Sequence, residues 1–332
     1  MDDGVIAPPG ETSPTQIGPG RRQLPRGLSA IVIATVALFA VSAVVAPASV
    51  SGNAVLSMIP FAAILAIVAL GQTLVIQQGG IDLSVPGAFS LAVVLITKAP
   101  SDNLASVAVM AVLAVAVMFL AGFLSGVIVA YVRVAPIVVT LGMNALLIGT
   151  TWAVSAGAAR PSPNSWYQIA TADLLGIPVP VLIAIVLTAA LTVVTKMTPW
   201  GRRFEAVGAN PRVAAAAGIR PATSMIMAYA AATALYAVGG ILLAGLVNTP
   251  SISEGNSYLL ASVAVVVLGG TSLLGGKGSV IATAVAAIFF TQVDRMALTL
   301  GLGPGVQTLI QALALALGVL AHRSRNRTGR RS

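Results

Sequence analysis

Apolar residues in this chain come in long blocks separated by short polar stretches. Between Arg26 and Lys98 the only charged residue is Asp82, and no charge occurs in 103–132, 134–159, 221–253, 255–276 or 296–321. A helix needs about 20 apolar residues, rising 1.5 Å each, to cross the hydrocarbon core of a bilayer. Several blocks suffice for one such helix, and 27–97 for two or three. The pattern predicts helices over 28–47, 54–77, 84–97, 104–131, 136–157, 179–196, 223–246, 258–270, 278–293 and 304–321. The third, eighth and ninth are short. They flank glycine-rich breaks at Gly79-Gly80 and from Gly269-Gly270 to Gly278. Interrupted segments of this kind line a cavity or re-enter the membrane, where protein or water satisfies the irregular backbone. The expected fold class is therefore all-α, a polytopic membrane protein with about ten transmembrane helices and glycine-broken short helices. Eight full spans with re-entrant pieces is the alternative count.

The polar segments set the orientation and the domain plan. With ten alternating spans and a cytoplasmic N-terminus, the inner side holds Arg21, Arg22, Arg26, Arg133, Lys196, Arg202, Arg203, Arg212, Arg220, Lys277, Arg323, Arg325, Arg327, Arg330 and Arg331. The outer side holds only Lys98, Arg160 and Arg295. Positive charge is retained on the cytoplasmic side, so both termini are expected there. Residues 1–27, rich in Pro, Gly, Ser and Thr, read as a disordered cytoplasmic tail, 28–321 as the transmembrane domain with a cytoplasmic loop at 197–222, and 322–332 as a basic cytoplasmic tail. The outer loop 158–178 carries Trp166 and Tyr167, which anchor at lipid headgroups or, for Trp166, stack on a sugar.

Composition narrows the function classes. Charged residues make up 8% and hydrophobic residues 57%, with mean hydropathy +0.97, against roughly 25% charged in a soluble domain. The net charge of +9 does not mark a nucleic-acid partner, because the basic residues sit at the ends of apolar runs without interleaved aromatics. The absence of cysteine excludes disulfides and thiolate chemistry, and the single histidine, His322, lies in the basic tail. No catalytic residues and no metal site are expected. Lys277 after Gly276 invites a phosphate-loop reading, but that motif needs glycine at 271 and Ser or Thr at 278, where this chain has Thr271 and Gly278. ATP hydrolysis is not expected of this chain.

Three groups of residues remain as candidate sites. The loop around 196–224 holds a helix-like piece, Arg202 to Val207, then a break at Gly208-Ala209-Asn210-Pro211. Asn210 suits an N-cap, Pro211 a first helical turn, and Gly218 a stop after the alanine run. A short helix with cationic ends and a small-residue body lets a partner surface approach closely; a merely solvated loop is the plainer reading. Asp82, inside an apolar run, must be paired, hydrogen-bonded or wet. It caps a helix beginning near Leu83, or it contacts substrate or a gate. Gln72, Thr73, Thr140, Asn144 and Asn248 are uncharged polar residues that suit a neutral polyol path, or equally join helices to one another.

Several of these stretches resemble the permease subunits of ABC importers, in their ribose/xylose/galactose-type branch. Glu205-Ala206-Val207-Gly208-Ala209-Asn210-Pro211, followed by Ala214 to Ala217 and Gly218, is similar to that family's cytoplasmic "EAA" loop. Gly71-Gln72-Thr73-Leu74-Val75-Ile76 with Gly79-Gly80-Ile81-Asp82-Leu83-Ser84 resembles its G-x-T-x-V-I…GGIDLS signature. Ala264 through Gly269-Gly270-Thr271-Ser272 and Gly275-Gly276-Lys277-Gly278-Ser279 resembles its AVVLGGTS…GGxGS signature, and Pro136 with Thr140-Leu141-Gly142 a weaker one. Pro86 and Ala135 depart from the pattern. The resemblance covers about 30–321.

It implies that Arg202, Arg203, Glu205, Ala206, Gly208, Asn210, Pro211, Ala214 and Gly218 belong to a coupling loop that docks on an ATPase subunit. Gly79, Gly80, Asp82, Ser84, Gly269, Gly270, Thr271, Ser272, Gly275 and Gly276 would form signature segments and a possible gate. It further implies no cofactor on this chain, ATP and Mg on the partner ATPase, a second permease copy, and a periplasmic or lipid-anchored sugar-binding protein. The setting would be the bacterial inner membrane. An ion-coupled secondary transporter would want intramembrane acids, of which Asp82 alone qualifies in this reading. A membrane enzyme would need a cluster of His, Asp, Glu or Cys. No residue chooses among ribose, xylose, galactose-type sugars, furanones and nucleosides.

Overall fold

The computed structural model describes residues 26–303, 305–313 and 316. Residues 1–25 of the tail expected over 1–27, with Arg21 and Arg22, the basic tail with His322 and the far part of the 304–321 helix lie outside the described residues, while residues 26 and 27 already belong to the first helix. The elements run α1 (Arg26–Val45), α2 (Gly52–Gln77), α3 (Val85–Thr97), α4 (Leu104–Val127, continued by a π-helical turn Ile128–Val132), α5 (Pro136–Ser155) and α6 (Asn164–Ala170). A two-residue hairpin follows, β1 (Asp173–Leu174) against β2 (Ile177–Pro178), antiparallel. Then come α7 (Val179–Met197), α8 (Pro199–Ala209), α9 (Pro211–Ala216), α10 (Pro221–Leu246), α11 (Asn256–Leu268) and α12 (Val280–Thr299). Residues 305–313 are again helical.

Local chemistry explains where these helices begin. Proline occupies the first position of α5, α8, α9 and α10, where its missing N–H costs nothing. Side-chain oxygens cap other starts: Asn103 accepts from the Ser106 N–H at 2.7 Å, and Ser279 from the Ala282 N–H at 3.3 Å. Among the described residues, 7 helices are long and apolar enough to cross a membrane, and α3 and α11 are shorter apolar helices.

Burial separates these helices into a core and a coat. The apolar window of α10 is 78% buried and that of α2 61%, whereas the window in α1 is 11% and that of α7 17%. Ile33 and Val44 of α1 and Val186 of α7 are exposed. Such surfaces are stable only against lipid. The core helices meet through small residues. A Cβ on Gly240 would lie 2.5 Å from the Phe89 carbonyl oxygen, and one on Gly126 2.6 Å from Ile226 Cα. These contacts draw α10 against α3 and α4 as membrane helices commonly pack, by backbone approach.

Two expectations need correction. The helix expected over 278–293 is not short: α12 has 20 residues and runs to Thr299. Asp294 and Arg295 do not end it, because each finds a polar partner. Gln311 Nε2 donates to Asp294 Oδ1 at 3.4 Å, and Arg295 Nη2 donates to Ser57 Oγ at 2.6 Å. Asp294 therefore joins Asp82 as an acid within the apolar helices. The segment 158–178, expected as an outer loop, is also more ordered than a loop, holding α6 and the hairpin. Trp166 Nε1 donates to the Ile241 carbonyl at 2.8 Å, which seats α6 on α10.

Candidate functional site

The three stretches singled out in the sequence meet at one end of the bundle. Their junction is the last turn of α2. Gln77, buried at 4% exposure, presents its carbonyl to the Gly276 N–H at 2.9 Å. A Cβ on Gly208 would overlap that same Gln77 oxygen, so α8 reaches α2 only because position 208 has no side chain. A Cβ on Gly275 would lie 2.5 Å from the Gly208 carbonyl oxygen, and one on Gly276 2.9 Å from Ala209 Cα. Next in line, Gln78 Nε2 donates to the Phe204 carbonyl of α8 at 2.9 Å. Backbone from 77–80, 204–209 and 275–278 is thereby packed into a single joint, with no side chain as intermediary at its tightest points.

α2 ends there in a defined way. The Gly80 N–H bonds to the Val75 carbonyl at 3.1 Å and the Gly79 N–H to Ile76 at 2.9 Å, with Gly79 at φ +78°. This is a Schellman closure, which needs a left-handed residue after the helix. Beyond it the chain stays buried. Asp82, 1% exposed, accepts at Oδ1 from the Ser84 N–H at 2.8 Å and the Ser84 hydroxyl at 2.6 Å. Asp82 is thus not the cap of the next helix. Ser84 occupies that position without a side-chain cap bond, and Asp82 holds Ser84 in place from two residues upstream.

The polar residues proposed for a substrate path all make bonds within the chain. Gln72 Oε1 accepts from the Tyr236 hydroxyl at 2.8 Å, and the hydroxyls of Thr73 and Thr283 lie 3.1 Å apart. Thr140 Oγ1 accepts from the Leu83 N–H at 3.0 Å, and Asn144 Oδ1 from the Gly87 N–H at 2.8 Å. Asn248 is exposed, and its carbonyl accepts from the Ser162 N–H at 2.8 Å. Thr140 and Asn144 hold the start of α3 against α5, because the unwound segment before α3 must find donors and acceptors in neighbouring helices.

The candidates for the coupling loop lie on α8 and α9. Asn210 Oδ1 caps α9, accepting from the Arg212 N–H at 3.1 Å and the Val213 N–H at 3.2 Å. Gly218 follows that helix at φ +78°. Pro211 is its first residue, and Ala214 is buried against the bundle while Ala206, Arg202 and Arg203 are exposed. Glu205 Oε2 and Lys196 Nζ are 3.5 Å apart, both half-exposed, a pair worth little in water. In the other signature, Gly269 is buried and Gly270 exposed, Thr271 is buried, and Ser272 receives the Leu274 N–H on its hydroxyl at 3.3 Å. At the opposite end of α7 from α8, the backbone N–H of Ser165 bonds to Asp102 and holds its carboxyl below the usual carboxylate range.

Sequence reasoning missed Gln77, Gln78, Tyr229 and Tyr236. A signal existed for each pair: two glutamines directly before Gly79 in an apolar block, and two tyrosines seven residues apart, on one face of a helix. Tyr229 reaches Gly80, where a Cβ would overlap its hydroxyl. A laterally open groove of about 650 Å³ between α2, α7 and α12 is lined by apolar residues such as Met58, Ala62, Ala184 and Ile288. Its hydroxyls, Thr188 and Thr192, are too few for a sugar ring.

Comparison with known proteins decides the family. Residues 54–320 match the family described as "Branched-chain amino acid transport system / permease component". The chain belongs to this permease family. It is 32% identical over 300 residues to the ribose import permease protein of Haemophilus influenzae, covering 87% of this chain and 91% of that one. The autoinducer 2 import system permease of Yersinia pseudotuberculosis is 31% identical over 274 residues, covering 80% and 76%. The fructose import permease of Bifidobacterium longum is 30% identical over 242 residues, covering 70% and 67%. No solved structure matches. The chain is therefore a multi-pass membrane permease of the bacterial inner membrane, of the sugar-type ABC importer class.

Proposed function

We propose that this chain forms the membrane pathway of an ABC importer for a monosaccharide or similar small polyol, switched between outward and inward access by a separate ATPase. The observation that carries the reading is the joint at Gln77. In segment 199–218, cytoplasmic in this reading, Gly208 leaves no room even for a methyl group against the Gln77 carbonyl at the end of α2. Motion of α8 and α9 must then move the end of α2 and the Gly79–Ser84 segment, because packed interiors shift between discrete arrangements rather than yield.

The remaining features of the proposal follow the same logic. Both termini face the cytoplasm, with about ten spans. Two permease copies pair in the membrane, ATP and Mg act on the ATPase, and a secreted binding protein delivers solute from outside. The ion-coupled alternative is disfavoured because both acids in the apolar region already accept hydrogen bonds within the chain, Asp82 at Oδ1 from Ser84 and Asp294 from Gln311. Reconstitution tests the proposal. Liposomes holding this chain, its cognate ATPase and its binding protein should take up radiolabelled ribose, fructose or another monosaccharide only with ATP inside. Uptake by the chain alone, driven by a proton or sodium gradient, overturns it.

A further inference from the structure

Leu274 is 83% exposed at the tip of the turn between α11 and α12, while its neighbour Leu273 packs into the core beside α11. The turn is built for display. The Ser272 N–H bonds to the Lys277 carbonyl at 2.9 Å, the Gly275 N–H to Ser272 at 3.0 Å, and the Gly276 N–H ties the whole to Gln77. We propose that this turn, Thr271–Lys277, is a second docking contact for the ATPase subunit, used together with α9. The proposal rests on the permease reading above.

Three observations support that occupant over lipid. First, the turn packs on α8: Gly275 lies against Gly208 and Gly276 against Ala209. It therefore sits at the α8 end of α7, opposite the hairpin that precedes α7. Second, α9 presents an apolar outer face at the same place. Val213 is 64% exposed and Ala216 and Ala217 are exposed, while Ala214 faces inward. Both apolar knobs are then tied through backbone to the joint at Gly208 and Ala209. Third, Arg202, Arg203, Arg212 and Lys277 are exposed around them. Among the described residues the only ion pair is Lys196 with Glu205, so these four cations have no carboxylate partner among those residues. The complementary surface is an apolar cleft with an acidic rim. An ATPase holding both knobs moves the Gly208–Gln77–Gly276 joint as a unit, rather than tilting α9 alone.

The chain has no cysteine, so V213C and L274C introduce unique thiols for a short photo-crosslinker in the assembled complex with the cognate ATPase. L175C, at the tip of the hairpin, where Leu175 is 96% exposed, is the control. Both V213C and L274C are expected to crosslink to the ATPase and L175C not to. Leu274→Asp should lower ATPase recovered with the permease about tenfold, as for a buried apolar anchor replaced by a charge. If V213C reaches the ATPase but L274C labels only lipid or a second permease copy, the second contact is refuted and the permease reading stands. Unchanged recovery with Leu274→Asp refutes it likewise. If neither thiol reaches the ATPase, the proposed coupling through α9 fails as well. Crosslinking from L175C overturns the sidedness on which both depend.

Discussion

After α2 the chain passes Gly79-Gly80 into a segment that stays buried and is tied by Asp82, Ser84 and Thr140. After α11 it passes Gly269-Gly270 into a turn that ends exposed at Leu274. The two helix ends close identically. The Thr271 N–H bonds to Val266 at 3.2 Å and the Gly270 N–H to Val267 at 2.9 Å, with Gly270 at φ +81°, the same Schellman pattern as at Gly79 and Gly80. The arrangement around them is inverted in chain order. A long helix precedes the first break and a 13-residue helix follows it, whereas a 13-residue helix precedes the second and a long one follows. Closure of a helix is local chemistry. What the freed chain does next depends on which neighbours are in reach, and only the first break has α5 and α10 around it.

Gly208, where the two breaks are joined to α8, should show the largest effect. Gly208→Val places a branched side chain on the Gln77 carbonyl. The expected cost is about 3 kcal/mol from overpacking, with ATP-driven uptake reduced at least about tenfold. Thermal unfolding in detergent and proteoliposome uptake measure the two. Wild-type behaviour in both would mean that the breaks are not mechanically joined through α8.

The next effect should fall on the first break alone. Asp82→Ala leaves the Ser84 N–H and hydroxyl buried without their acceptor, at a cost of about 2 kcal/mol. Asp82→Asn keeps an acceptor oxygen and should lose less than half of that. At the second break the matching position is Ser272, whose hydroxyl accepts only the Leu274 N–H at 3.3 Å; Thr271 beside it has a buried hydroxyl with no hydrogen-bond partner, so Thr271→Ala should change stability little. Equal losses for Asp82→Ala and Thr271→Ala would erase the distinction between buried and displayed segments.

The smallest effect sharpens what the breaks share. Gly79→Ala and Gly270→Ala have room for a methyl group, since nothing lies within 4 Å of the added Cβ at Gly79 and only Gly27 Cα, at 3.7 Å, at Gly270. Each should cost about 1 kcal/mol through backbone conformation alone. Matching shifts in Tm are expected. Unequal shifts would show that one closure is held by more than local geometry.

Much of the fold was legible because membrane helices carry their own signal. Blocks without charge predict spans, and Asn210, Pro211 and Gly218 mark a short helix through capping chemistry within a few residues. Where the reading failed, long-range partners intervened. Asp294 and Arg295 look like a helix end until Gln311 and Ser57 are brought beside them. Asp82 looks like a cap until Ser84 is seen to occupy the cap position. The polar residues of α2 and α5 were equally compatible with a solute path and with helix contacts, since hydrogen-bonding capacity is the same for both.

Sequence alone determined that this chain lives in a bilayer, where most of its long helices begin, and that its glycine-rich stretches interrupt them, because hydropathy, charge placement and capping act over a few residues. Only the tertiary structure decided that Gln77, Gly208 and Gly276, from three distant stretches, share one joint, and that Leu274 is displayed while Asp82 is enclosed. Those outcomes depend on which backbones can approach within contact distance, a property of packed surfaces and not of any local run of residues.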